Sequence, residues 1–164
     1  MNPVALAGPA VEPIALAEMK TYLRIDGEAE DDLVCALIMA ARLTVERTAR
    51  IALIEQCWRL RLARWPADRA VPLPFHPLLA VESVTVSPDG RSGEVLAPDL
   101  YRLDGASEPP RLLVDASAPD AGERSGGIEI DCTCGFGSAP EAVPEPLRLA
   151  VRRLVAYWFE HRGD

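Results

Sequence analysis

The chain of 164 residues is short of the groups that most catalytic and metal sites need. It has two histidines, His76 and His161, and a single lysine, Lys20, among its 17 basic residues. Positive charge is therefore almost all guanidinium, suited to planar ion pairs. The four cysteines, Cys35, Cys57, Cys132 and Cys134, include no C-x-x-C pair. Zinc needs four converging ligands, so buried reduced thiols are the expected state. No apolar run approaches the ~20 residues of a membrane span. The N-terminus lacks the charged start and long apolar core of a signal peptide, so the chain is expected to stay in its compartment of synthesis.

Catalytic motifs are also missing. Gly90–Glu94 (GRSGE) lacks the lysine of a phosphate-binding loop, and Gly135-Phe136-Gly137 reads as a turn at a strand end. No Ser, His and carboxylate fall into a local nucleophile motif. An enzyme would have to use the acids Asp26, Glu28, Glu30, Asp31 and Asp32. Their spacing lacks the glycine and terminal glutamate of a calcium loop, and helix capping explains them. The net charge of −8 argues against a DNA-binding module, because such binding neutralises phosphates with Lys and Arg. An acidic surface would instead keep nearby DNA from sticking. The closing Arg162-Gly163-Asp164 arises by chance and carries no weight as an adhesion signal.

What is present is a long helix. Glu30–Ile51 (EDDLVCALIMAARLTVERTARI) holds no Gly or Pro, opens on acids and ends on Arg47 and Arg50, matching the helix dipole. It would span ~33 Å at ~1.5 Å per residue. Leu33, Leu37, Ala40 and Thr44 form one stripe, and Val34, Ile38, Ala41 and Val45 the adjacent one. Cys35, Met39 and Leu43 fall on the side that should be wet. A helix apolar nearly all round is covered on more than one side, either by its own domain or by another copy.

The remaining elements follow in order. Residues 1–13 read as an Ala/Pro-rich flexible leader. A short helix over Leu16–Arg24 joins the long one as a hairpin within 14–52. A β-rich insertion over 53–137 carries strands at Gln56–Trp65, Val81–Val86, Tyr101–Leu103, Arg111–Val114 and Ile128–Cys134, with a Pro88-Asp89-Gly90 turn and a polar stretch over Ala116–Gly127. In the first strand Cys57, Arg59 and Arg61 take the wet face. Pro144 and Pro146 open a final helix within 143–162 whose apolar stripe is Leu147, Val151, Leu154, Val155 and Trp158. The expected fold is one α+β domain: a helical hairpin with a long central helix, a small antiparallel sheet insertion, and a C-terminal helix packing back on the helices.

The ordered set of segments resembles a known family. It comprises LAEMKTYLRID (16–26), EDDLVCALIMAARLTVERTAR (30–50), LIEQCWRLRL (53–62), LPFHPLLAVESVTV (73–86), DLYRLD (99–104), IEIDCTCGFG (128–137) and VPEPLRLAVRRLVAYWFEHR (143–162). Together they resemble the head–tail connector (adaptor) proteins of tailed bacteriophages and the matching neck component of gene transfer agents. The resemblance implies a structural, non-enzymatic role without cofactor, metal or membrane. It implies a ring, usually of twelve copies, between the portal and a tail-side stopper or head-completion protein. DNA would pass through the lumen without specific binding. The location implied is the particle neck, with assembly in the cytoplasm of a bacterial host. Ring interfaces of this kind are heterologous. Under this reading Cys35, Met39 and Leu43 are partly intersubunit. The last helix, around Arg148, Arg152, Arg153 and Trp158, faces the portal or a neighbour, although Trp158 also fits as core. Many members continue past this helix into a Leu/Pro-rich tail, so a chain stopping at Asp164 is expected to dock differently or to be shortened. A small regulatory or chaperone-like binding module would also show a helix with exposed apolar surface, and is the alternative.

Overall fold

The computed structural model describes residues 2–88, 92–122 and 127–162. Asp89 and Gly90 of the expected Pro88-Asp89-Gly90 turn, and parts of Gly90–Glu94, Ala116–Gly127 and Arg162-Gly163-Asp164, lie outside them. The elements run β1 (Asn2–Ala7), α1 (Leu16–Leu23), α2 (Asp31–Ala49), β2 (Gln56–Leu62), β3 (Ala70–Pro72), β4 (Leu78–Val86), β5 (Glu94–Val95), β6 (Tyr101–Asp104), β7 (Arg111–Val114), β8 (Ile128–Cys134) and α3 (Glu145–Glu160). This is the expected α+β class. The chain divides into a β unit (Met1–Gly8 with Gln56–Cys134) and a helical unit (Pro9–Glu55 with Gly135–Asp164).

The β unit holds a five-stranded antiparallel sheet in the order β1-β2-β8-β4-β5 and a three-stranded sheet in the order β3-β7-β6. Alternation sets the register. Leu60 opposes Ile130 and Leu62 opposes Ile128 on the inward face, while Arg59 opposes Asp131 and Arg61 opposes Glu129 on the other. Leu60, Val84, Val86, Ile128 and Ile130 are buried. Val71 and Leu112 form a buried cross-strand pair in the smaller sheet.

The flexible leader is corrected in part. Asn2–Ala7 pairs antiparallel with β2 at the sheet edge. Pro3 is tolerated there because an edge strand has one side without ladder bonds. Pairing with a strand more than 50 residues away supplies the order, and an Ala/Pro composition gives no sign of it.

The helical unit has a single core. Met19 of α1, Val34, Ile38, Ala41 and Val45 of α2, Leu53 and Ile54 beyond it, and Val151 and Val155 of α3 meet there. The turn Gly135–Gly137 closes the unit. Phe136 N–H donates to Leu53 O at 3.2 Å, and Glu55 N–H donates to Gly137 O at 2.9 Å. Gly135 has φ +126°, and a Cβ there would lie 2.6 Å from the carbonyl carbon and oxygen of Ile54. Only glycine fits.

Candidate assembly surface

α2 is helical for ordinary reasons: acids in its first turn, Arg47 in its last, and Arg50 in the left-handed region (φ 56°), its N–H bonded to Glu46 O. Its inner stripe, Val34, Ile38, Ala41 and Val45, is buried. Cys35, Met39 and Leu43 recur at four-residue steps about half a turn away. Cys35 is exposed, Met39 is 50% exposed and Leu43 is 52% exposed. Ala36 and Ala40 between them are also exposed. The chain's own residues therefore leave this stripe uncovered.

The flank of α2 carries a feature that periodicity alone does not reveal. Arg42 is 6% exposed within the apolar helix. Its Nε donates to Glu12 Oε2 at 2.7 Å and its Nη1 to Glu46 Oε2 at 2.8 Å. Glu46 Oε1 in turn accepts the N–H of Leu53 at 2.9 Å. Burial pulls the Arg42 pKa down, but hydrogen bonds and charge from Glu12 and Glu46 outweigh it, and the net shift is upward. One guanidinium thus fixes the segment before α1, the helix itself and the residue that follows it. Its only sequence cue was a charge among apolar residues, with one partner 30 positions away.

α3 divides its arginines between two duties. Arg148 donates to Pro13 O at 3.2 Å and to Glu18 Oε2 at 2.8 Å. Arg152 donates to Glu18 Oε1 at 2.6 Å and pairs with Glu145. These two guanidiniums clamp α1 to α3 through Glu18. Arg153 is exposed and has no ion-pair partner among the described residues. Trp158 is half-buried against the helical core. Beside the clamp, Glu18, Thr21, Tyr22, Leu149 and Arg152 line a shallow groove of about 320 Å³. Tyr22 is 44% exposed and Leu149 39%. Further along the same face of α3, Tyr157 is 58% exposed and stacks on His161 with ring centroids 4.3 Å apart.

Two of the acids around the start of α2 are engaged in ion pairs. Lys20 Nζ pairs with Asp31 Oδ1 at 2.5 Å, and Arg162 pairs with Glu30 at 3.3 Å. Among the described residues no three His, Cys, Asp or Glu side chains are grouped to hold a metal ion. Cys132 and Cys134 are buried on the inward face of β8, and burial pushes the Cys132 thiol up to about 12. No described helix is long and apolar enough to cross a membrane.

The fold and this surface define a class: a small α+β building block whose conspicuous free surface is an apolar helix face. The profile of the family described as "Phage gp6-like head-tail connector protein" matches residues 13–94, half of the chain. The chain belongs to the gp6-like head-tail connector family. Three solved structures are similar over its whole length. A chain in the neck of an empty gene transfer agent (GTA) particle, computed with C6 symmetry, is 28% identical with a TM-score of 0.83, and 86% of that chain is covered. A chain in the virion of a native GTA particle is 30% identical with a TM-score of 0.83, and 87% of it is covered. A chain in the neck of a native GTA particle, computed with C12 symmetry, is 27% identical with a TM-score of 0.80, and 86% of it is covered. No curated protein matches the chain.

Proposed function

We propose that this protein is a structural subunit of the neck of a phage-like particle of the gene transfer agent type. Copies of it form a ring, of twelve members, between the portal and a tail-side stopper, and DNA passes through the lumen. The supporting observation is the outer stripe of α2. Three large or soft apolar side chains at helical spacing lie open to water on a helix whose other face is core. In a free monomer such a stripe has no function and promotes nonspecific association; in a ring it is interface. The gene transfer agent neck proteins that resemble the chain add weight, because the symmetry in their descriptions is cyclic. The net charge of −8 suits a lumen through which a polyanion must slide and not bind.

On this reading Cys35, Met39 and Leu43 meet a neighbouring copy, and Arg153 lies at a neighbour or portal contact. Arg148, Arg152 and Trp158 support that surface from beneath. The test is electron microscopy of the purified protein added to isolated portal rings. The expected image is a second ring of density, closed and coaxial with the portal. Bare portals at saturating protein would overturn the proposal.

A further inference from the structure

A closed cyclic ring needs two different patches on each subunit, one to give and one to receive. The outer stripe of α2 supplies only the first. The second must lie on another side of the molecule and be of similar extent. The helical unit presents such a face on α3. Leu149, Arg153 and Tyr157 follow one another at four-residue steps and are all exposed, and Tyr22 of α1 stands beside Leu149 across the groove.

The two stripes match in length. From Cys35 to Leu43 and from Leu149 to Tyr157 are both ~12 Å along a helix at ~1.5 Å per residue. α2 and α3 also pack on each other through the core stripes that hold Val34, Ile38, Val151 and Val155. Faces opposite those stripes therefore look away from one another, as the two sides of a ring subunit must. The charges fit the same arrangement. Asp32 and Arg47 bound the α2 stripe, while Arg153 and Glu160 belong to the α3 face. All four are exposed, and none has an ion-pair partner among the described residues. With the stripe midpoints Met39 and Arg153 level, Glu160 comes beside Arg47 if the helices run parallel and opposite Asp32 if they run antiparallel, so these charges favour the parallel arrangement.

We infer that the outer stripe of α2 seats against the Leu149–Arg153–Tyr157 face of α3, beside Tyr22, in the next copy of this chain. The inference rests on the ring reading above and adds the identity of the receiving surface. Whichever way the two helices run, the midpoints of the stripes, Met39 and Arg153, face each other. The direction is read from the ends: Cys35 lies near residue 149 if the helices are parallel and near residue 157 if antiparallel.

The test is cross-linking of the full-length chain with a short bis-maleimide at high protein concentration. The background is Cys35→Ser, with oligomer mass followed by sedimentation. A chain with both Met39→Cys and Arg153→Cys is expected to give a ladder of multimers. An equimolar mixture of the two single variants is expected to give dimers and nothing larger. Each single variant alone should stay monomeric on a denaturing gel. Dimers from Met39→Cys alone would mean that α2 pairs with itself, which overturns the inference while leaving self-association intact. Oligomers in sedimentation with no cross-link in the double variant would assign the α3 face to another partner, with the same consequence. Absence of any oligomer, with or without portal rings, would remove both the inference and the ring reading.

Discussion

Two outward surfaces of this protein, the polar face of the five-stranded sheet and the outer face of α2, have been finished in opposite ways. On the sheet the arginines of β2 meet the acids of β8. Arg59 donates to both carboxylate oxygens of Asp131, at 2.6 and 2.8 Å, and pairs with Glu129 at 2.6 Å. Arg61 reaches Glu129 at 3.0 Å, and Thr133 donates to Glu82 at 2.7 Å. These charges find their partners within one chain. On α2 an apolar stripe about half exposed is left open, flanked by charges without partners. A surface that has closed its own hydrogen bonds has little left to offer, whereas one that keeps apolar area in water retains a driving force for association. This difference is what the proposed ring reading rests on.

The largest expected effect is at the clamp that holds the open helix. Arg42→Ala leaves Glu12 and Glu46 facing each other without their base, and breaking a buried pair in this way costs about 3–5 kcal/mol. Denaturant unfolding of the free chain measures it. A loss under ~1 kcal/mol would mean that the clamp is not what orders α2. Gly135→Ala is next. Backbone strain at φ +126° and the close approach to Ile54 are expected to cost about 3 kcal/mol in the same experiment.

A smaller effect is expected on the sheet. Asp131→Asn should cost about 1 kcal/mol near neutral pH, because the pair it breaks is bidentate but partly wet. The hydrogen bond from Arg59, against some desolvation, holds the Asp131 carboxyl below its ordinary 3.8. The unfolded chain therefore takes up this proton first on acidification. The contribution of Asp131 is whole above 3.8 and fades as pH falls below it, so the gap between Asp131→Asn and the parent should shrink in that window. A gap that does not change with pH would count against the pairing.

The smallest effect on folding is expected where the effect on assembly is greatest. Leu43→Asp should shift monomer stability by no more than ~0.5 kcal/mol, as exposed substitutions usually do. It should nevertheless abolish ring formation on portal particles. A variant that unfolds but still assembles would reverse the comparison between the two surfaces.

How much of this could be read beforehand depended on how local each signal was. The inner stripe of α2, Val34, Ile38, Ala41 and Val45, was legible, because a 3.6-residue period reports burial directly, whereas of the stripe expected beside it Leu33 and Leu37 are partly covered and Ala40 and Thr44 are exposed. The strands Arg111–Val114 and Ile128–Cys134 fall where their alternation places them, and the wet face of β2 carries Arg59 and Arg61 as expected. β1 was not legible, because its order comes from pairing with β2 and NPVALA alternates weakly. Of the β unit, Gln56–Cys134 lies within the β-rich insertion expected over 53–137, while its Met1–Gly8 segment was hidden together with β1. The roles of the α3 arginines were hidden for a related reason. Arg148, Arg152 and Arg153 look alike in sequence. Only the position of Glu18, some 130 residues earlier, separates the two that clamp α1 from the one left free.

Cys35 allows the central claim to be tested without any mutation. It lies in the outer stripe of α2, and the buried Cys132, with its thiol pushed up to about 12, serves as an internal unreactive control. Maleimide labelling of Cys35 should be fast in the free chain and strongly slowed once the protein is assembled on portal-bearing particles. Equal labelling rates in the two states would show that this face stays in water, and would contradict the account.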